Sequence, residues 1–165
     1  MGKEPDGEWE GVRVSYAAGN DLAAVGGNNL AAAAGNNLAV VVEQTRFLRQ
    51  ELVSELARAG WQVVGAAGDG RRGLEMALTH RPGLVVLDLA LPDMPGTELI
   101  RRIKAEVPWC RVVVCSALVQ SRWVQAAVEA GADDFVVKPL DEGRFRAAVG
   151  GAVGPVPAER AQRGG

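Results

Sequence analysis

The chain has 165 residues, 48% of them apolar and 23% charged, enough for one compact domain with some chain to spare. Its 18 Lys and Arg against 20 Asp and Glu leave a net charge of −2, without the basic surplus a nucleic-acid-binding surface needs. Glycine is abundant, at 21 residues, and aromatic residues make up only 5%, so part of the chain is not core.

The start, Met1-Gly2-Lys3-Glu4-Pro5-Asp6, leads into no apolar signal core. No apolar run reaches the ~18 residues of a membrane span, because the nearest, residues 30–42, is broken by Gly35-Asn36-Asn37. A cytoplasmic protein is expected. Cys110 and Cys115 lie an odd number of positions apart in one strand-like run and point to opposite faces, so they read as two buried free thiols. His80 is the sole histidine, which excludes a multi-histidine metal site.

In chain order, residues 1–38 come first and differ from the rest. Gly19-Asn20-Asp21-Leu22-Ala23 recurs as Gly27-Asn28-Asn29-Leu30-Ala31 and Gly35-Asn36-Asn37-Leu38-Ala39, an octad that matches neither a coiled-coil heptad nor a solenoid unit. This stretch reads as a low-complexity, flexible extension, with a small strand-turn arm as the other reading. Strand and helix signals then alternate. Strands are expected at 39–42, 61–66, 84–87, 111–115 and 134–137, and helices at 45–58, 71–80, 97–106, 121–130 and 141–149. Thr45 is placed to cap the first helix, and Leu74 and Leu78 are expected to face inward from the second. Residues 151–165 read as a flexible tail. Strands apolar on both faces, separated by helices, predict an α/β fold, a doubly wound (βα)5 five-stranded parallel sheet. The domain spans residues 39–150, and neither flank is long enough for a second.

Such sheets bind ligands at the carboxyl ends of their strands. Four sites there are polar: Glu43-Gln44, Asp88, Ser116 and Lys138. Two acids, a hydroxyl and an ammonium on one edge suit phosphoryl transfer onto a carboxylate, with a divalent cation to offset charge.

The block Leu84-Val85-Val86-Leu87-Asp88-Leu89-Ala90-Leu91-Pro92-Asp93-Met94-Pro95-Gly96 resembles the phosphoacceptor segment of bacterial two-component response-regulator receiver domains. Val113-Val114-Cys115-Ser116-Ala117 resembles the family's switch segment, and Gly131-Ala132-Asp133-Asp134-Phe135-Val136-Val137-Lys138-Pro139 its lysine-proline segment. The phrasing after Cys115 is most similar to the stand-alone chemotaxis regulators, the CheY-like group with a flavodoxin-like fold. The resemblance implies that Asp88 is the phosphoacceptor, Ser116 and Phe135 the switch pair, and Lys138 the phosphate-sensing residue, with Pro139 following a cis peptide. It implies Mg²⁺ held by Glu43 and Asp88, a sensor histidine kinase or small phosphodonor upstream, and a protein target met near Trp123 and Phe135. The chain is then no enzyme beyond its own phosphorylation and dephosphorylation.

One departure stands out. The family has an acidic pair after the first strand, and this chain has Glu43 followed by Gln44. Two unit charges about 4 Å apart at an effective dielectric of ~20 interact by roughly 4 kcal/mol. Hydration returns part of that, so Gln44 is expected to weaken Mg²⁺ binding by about one to two powers of ten. A phosphorylation-independent pseudo-receiver, acting as a protein-binding module, is therefore the alternative. A remoter one is a dinucleotide site at Gly68-Asp69-Gly70-Arg71-Arg72-Gly73, which has the GxGxxG spacing but follows the second strand of the domain instead of the first.

Overall fold

The computed structural model describes residues 7–9, 12–15, 36–118 and 120–153. Five strands alternate with five helices: β3 (Leu38–Val42), α1 (Arg46–Arg58), β4 (Gln62–Ala67), α2 (Gly70–His80), β5 (Leu84–Leu87), α3 (Gly96–Glu106), β6 (Arg111–Ser116), α4 (Ser121–Ala130), β7 (Asp134–Val137) and α5 (Glu142–Val153). All five strands are parallel, in the order β4-β3-β5-β6-β7. This is the expected (βα)5 sheet.

The strand period of two divides the core into two layers. Val40, Val42, Val85, Leu87, Val112, Val114 and Phe135 face one side, where Leu99, Ile100 and Ile103 of α3 and Val124 and Ala127 of α4 cover them. Ala39, Val41, Val86, Val113, Cys115 and Val136 face the other side, against Leu52 and Leu56 of α1 and Phe145 and Val149 of α5. Cys110 and Cys115 fall in opposite layers, both free and buried. At about 1.5–3 kcal/mol for each fully buried aliphatic side chain, these layers dominate the stability of the fold.

Two local expectations change. Thr45 precedes α1 in extended conformation, but its side chain makes no cap hydrogen bond. Its N–H instead donates to Glu43 Oε2 at 2.9 Å, because the acid is turned back over the bend. Leu78 is exposed at 38%, and α2 buries Gly70, Gly73 and Ala77 instead. The small residues let the helix approach the sheet: a Cβ on Gly73 would lie 2.5 Å from Val42 Cγ2. Leu74 still packs, partly buried, against the core layer as expected, so of the two leucines only Leu78 turns outward.

Two further strands extend the sheet beyond β7, from the first 38 residues, for which a flexible extension was the first expectation and a strand-turn arm the second. β1 (Gly7–Trp9) pairs antiparallel with β2 (Val12–Ser15), and β2 pairs parallel with β7. The octad repeat lies outside the described residues except for its end. There Asn36 Nδ2 donates to Arg81 O at 3.2 Å, and Asn37 Nδ2 to Gly60 O at 3.3 Å, pinning the amino end of β3 to two neighbouring loops. Of the tail expected at residues 151–165, residues 151–153 instead continue α5, and the rest likewise lies outside the described residues.

Candidate functional site

At the carboxyl edge, β3 delivers Glu43 and Gln44, β5 delivers Asp88, β6 ends on Ser116, and Lys138 follows β7. The strand order turns at β3 and β5, and Asp88 sits just past that turn. Asp88 is 6% exposed and Glu43 1%. Buried acids need partners. Lys138 Nζ supplies both, donating to Asp88 Oδ2 at 2.7 Å and to Glu43 Oε1 at 3.0 Å. The second oxygen of Asp88 accepts the Ala90 N–H at 3.1 Å. Burial alone would lower the Lys138 pKa, but its hydrogen bond to Asp88, the Asp88 charge and then Glu43 outweigh it, so the ammonium sits above the ordinary lysine value.

The loop after Asp88 is built tightly around that carboxylate. Gly96 N–H donates to Leu89 O at 2.9 Å, and a Cβ on Gly96 would come within 2.6 Å of Asp88 O and 2.5 Å of Leu89 Cα. Only glycine fits there. Farther along the loop, Asp93 accepts the N–H of Gly70 at 2.7 Å and of Arg71 at 2.9 Å. These two bonds, Gly70 first, hold the Asp93 carboxyl below the ordinary value. Its carboxylate thus takes the first free N–H groups of α2, the donors a dinucleotide pyrophosphate would need. Asp69 caps the same helix by accepting the Arg72 N–H. The GxGxxG segment is therefore a helix start closed by protein carboxylates. Asp93 lies within the phosphoacceptor block, but the family resemblance gives it no role. An acid on the loop facing a glycine-led helix start is the signal that could have given it one.

Gln44 is exposed, and its Nε2 donates to Ala90 O at 3.1 Å. It joins the turn after β3 to the loop after β5. For a hard divalent cation, Glu43 and Asp88 offer two carboxylates in the expected place, which fits Mg²⁺. Gln44 would add its Oε1 alone, since its nitrogen is engaged with Ala90. Among the described residues there is no cluster of three or more His, Cys, Asp or Glu side chains set to hold a metal ion.

Ser116 is fully buried, and its Oγ accepts the Leu118 N–H at 3.2 Å. Phe135 has no exposed surface and packs in the core layer beneath α4. Trp123 is partly buried against the same layer, with the Arg122 guanidinium 5.4 Å from its ring. Of the two residues assigned to a partner surface, only Trp123 is at the surface in this conformation. The Lys138–Pro139 peptide is cis.

Residues 39–150 match the family described as response regulator receiver domain. A chemotaxis protein CheY of Thermotoga maritima is 35% identical over 105 residues, covering 64% of this chain and 88% of that protein. A chemotaxis protein CheY of Bacillus subtilis is 34% identical over 110 residues, covering 67% and 92%. Among solved structures, a Burkholderia pseudomallei response regulator with a phosphorylated aspartic acid, a calcium ion and citrate superposes with a TM-score of 0.65. It is 24% identical and covers 78% of this chain and 75% of its own, a likeness of fold.

Proposed function

The chain belongs to the response regulator receiver domain family, whose members act in two-component signalling, and on that premise we propose that it accepts a phosphoryl group on Asp88. The observation that carries this is the Lys138 ammonium bridging Asp88 and Glu43 at 2.7 and 3.0 Å, at the carboxyl edge of the sheet. In the transfer, a carboxylate oxygen of Asp88 bonds to phosphorus while the bond from phosphorus to a histidine nitrogen or an acyl oxygen breaks, and the leaving group keeps the electron pair. Lys138 exchanges part of its contact with Asp88 for a phosphoryl oxygen. Ser116 turns its hydroxyl from Leu118 toward another, and Phe135 follows into the space released. Bound Mg²⁺ supplies charge neutralisation of the acids and the incoming phosphoryl group. The two buried thiols and the lack of any described helix long and apolar enough to cross a membrane support a cytoplasmic setting. The output in this reading is contact with a protein target near Trp123.

The hydrogen bond from Gln44 to Ala90 favours a second reading, a receiver fold that binds its target without taking phosphate. Intact mass after incubation with Mg²⁺ and acetyl phosphate separates the two. One added phosphate in the wild type, absent from Asp88→Asn, supports phosphotransfer. An unchanged wild-type mass supports the phosphate-free module.

A further inference from the structure

The ladders of β3 end at Val42, which pairs with Ala67 and Leu87, so the residues beyond it need other partners. Glu43 is 1% exposed, and a buried carbonyl oxygen without a donor is costly. Its N–H still reaches Ala67 O at 2.9 Å, and its carbonyl oxygen accepts Arg49 Nη1 at 2.7 Å. The same Nη1 lies 3.4 Å from the carbonyl oxygen of Gln44, a longer second contact. One guanidinium thus ties down two successive carbonyls of the turn that carries Glu43 and Gln44.

The start of α1 is an unfavourable place for this cation. The helix begins at Arg46, its first turn holds no acid, and the helix dipole disfavours positive charge there. Arg49 is nevertheless half-buried and aimed at the main chain of the turn. Gly68 makes the room: a Cβ at that position would sit 2.9 Å from Arg49 Nη1. Gly68 is not among the glycines with positive φ, Gly60 and Gly131, so its backbone does not require glycine. What position 68 supplies is the missing side chain. The first glycine of the GxGxxG segment is thereby accounted for by its packing against Arg49.

We infer that Arg49, seated in the notch left by Gly68, is a positioning residue that sets the Glu43–Gln44 turn for cation binding. It acts through the main chain. With the turn fixed, the Thr45 N–H holds Glu43 Oε2 and Lys138 holds Oε1, so the carboxylate stays facing Asp88 across the ammonium. The inference rests on the reading of Glu43 and Asp88 as the Mg²⁺ site. Charge alone predicts the opposite sign: a guanidinium near a cation site repels Mg²⁺, and removing it would tighten binding. Weaker binding without Arg49 therefore reports lost position.

The full-length variants Arg49→Met, Arg49→Lys, Gly68→Ala and the double variant of Arg49→Met with Gly68→Ala test this. Mg²⁺ affinity is read by titration calorimetry and, in metal-free buffer, the Thr45 amide by hydrogen exchange. Arg49→Met should bind Mg²⁺ about tenfold more weakly and exchange Thr45 about tenfold faster, while β5 and β6 hold their protection. Arg49→Lys, which keeps a charged donor, should recover most of the affinity. Gly68→Ala keeps the charge but displaces the guanidinium, so it should weaken binding in the wild type and add nothing to Arg49→Met. Affinity in Arg49→Met equal to or above the wild type overturns the inference even with faster Thr45 exchange, because Arg49 then only props the fold. A further loss from Gly68→Ala in the Arg49→Met background overturns it too. If the wild type binds no Mg²⁺, the cation reading fails by itself, and Thr45 exchange decides whether Arg49 holds the turn: unchanged exchange overturns that. If Arg49→Met loses protection throughout the sheet, Gly68→Ala is judged on the same two readings. General loss in both makes the pair a part of the fold alone and overturns the inference.

Discussion

Gln44 Nε2 donates to the carbonyl oxygen of Ala90 at 3.1 Å, so a neutral amide ties the turn after β3 to the loop that carries Asp88. Gln44→Asp removes the donor and adds an acid at the mouth of the Glu43–Asp88 pair. The variant should bind Mg²⁺ about 10–100-fold more tightly than the wild type, as isothermal titration would measure. Equal affinities in the two proteins would show that residue 44 stands outside the cation's reach.

Lys138 is the cation already in place between Glu43 and Asp88. Lys138→Met leaves two buried carboxylates facing each other with nothing between them. In metal-free buffer this should cost about 3 kcal/mol in urea unfolding. Millimolar Mg²⁺ should restore much of the loss in the variant and add little to the wild type. A variant as stable as the wild type without metal would mean that the acids are hydrated well enough to do without the ammonium.

The sheet and the carboxyl-edge cluster were legible because both follow from one pattern: apolar runs of three to five residues at β3, β5, β6 and β7, each followed by a polar residue. Asp88 after Leu84-Val85-Val86-Leu87 needs no more than that. Three things were hidden, each for a physical reason. The inward face of α2 runs through Gly70, Gly73 and Ala77, residues too small to register as an apolar stripe, so the exposed Leu78 was grouped with Leu74, which does pack against the core. Asp93 acts across 22 residues of chain on the helix start at Arg71, a distance that local spacing does not carry. The alternation in Val12-Arg13-Val14-Ser15 marks a strand, but it lies beside a repetitive, alanine- and glycine-rich stretch whose composition outweighed it.

Asp93 makes the start of α2 sensitive to acid. Its carboxyl is held below the usual value by the Gly70 and then the Arg71 hydrogen bonds. A group depressed in the folded state stabilises the fold at every pH above its unfolded value, near 3.8, and that share is lost as pH falls through the folded value. Asp93→Asn should therefore melt below the wild type at pH 7, and the gap between the two should close as pH drops under about 3.8. A gap independent of pH would assign the loss to shape, not to the carboxylate.

Burial pushes the thiols of Cys110 and Cys115 up to about 12 each. At pH 8 only about one molecule in ten thousand then carries a thiolate at either position. The native protein should label with a thiol reagent no faster than it unfolds, and two thiols should react at once in denaturant. Rapid labelling of one equivalent in native buffer would mean that one of the two layers opens locally.

Arg111 and Asp134 form an ion pair at the amino ends of β6 and β7, far from Asp88, with side chains only 2% and 6% exposed. Withdrawing both charges from water is costly, and Arg111 Nε, buried with no hydrogen-bond partner among the described residues, adds to that cost. The pair therefore contributes little net stability, while the buried guanidinium depends on the carboxylate's presence. Asp134→Asn leaves the guanidinium charge buried and should lose about 3–5 kcal/mol in urea unfolding. Arg111→Met together with Asp134→Leu removes both charges of the pair and fills similar volume, so the double variant should recover part of that loss. A double variant as unstable as the single one would mean that the pair holds β6 and β7 in register through its hydrogen bonds, which apolar side chains cannot replace.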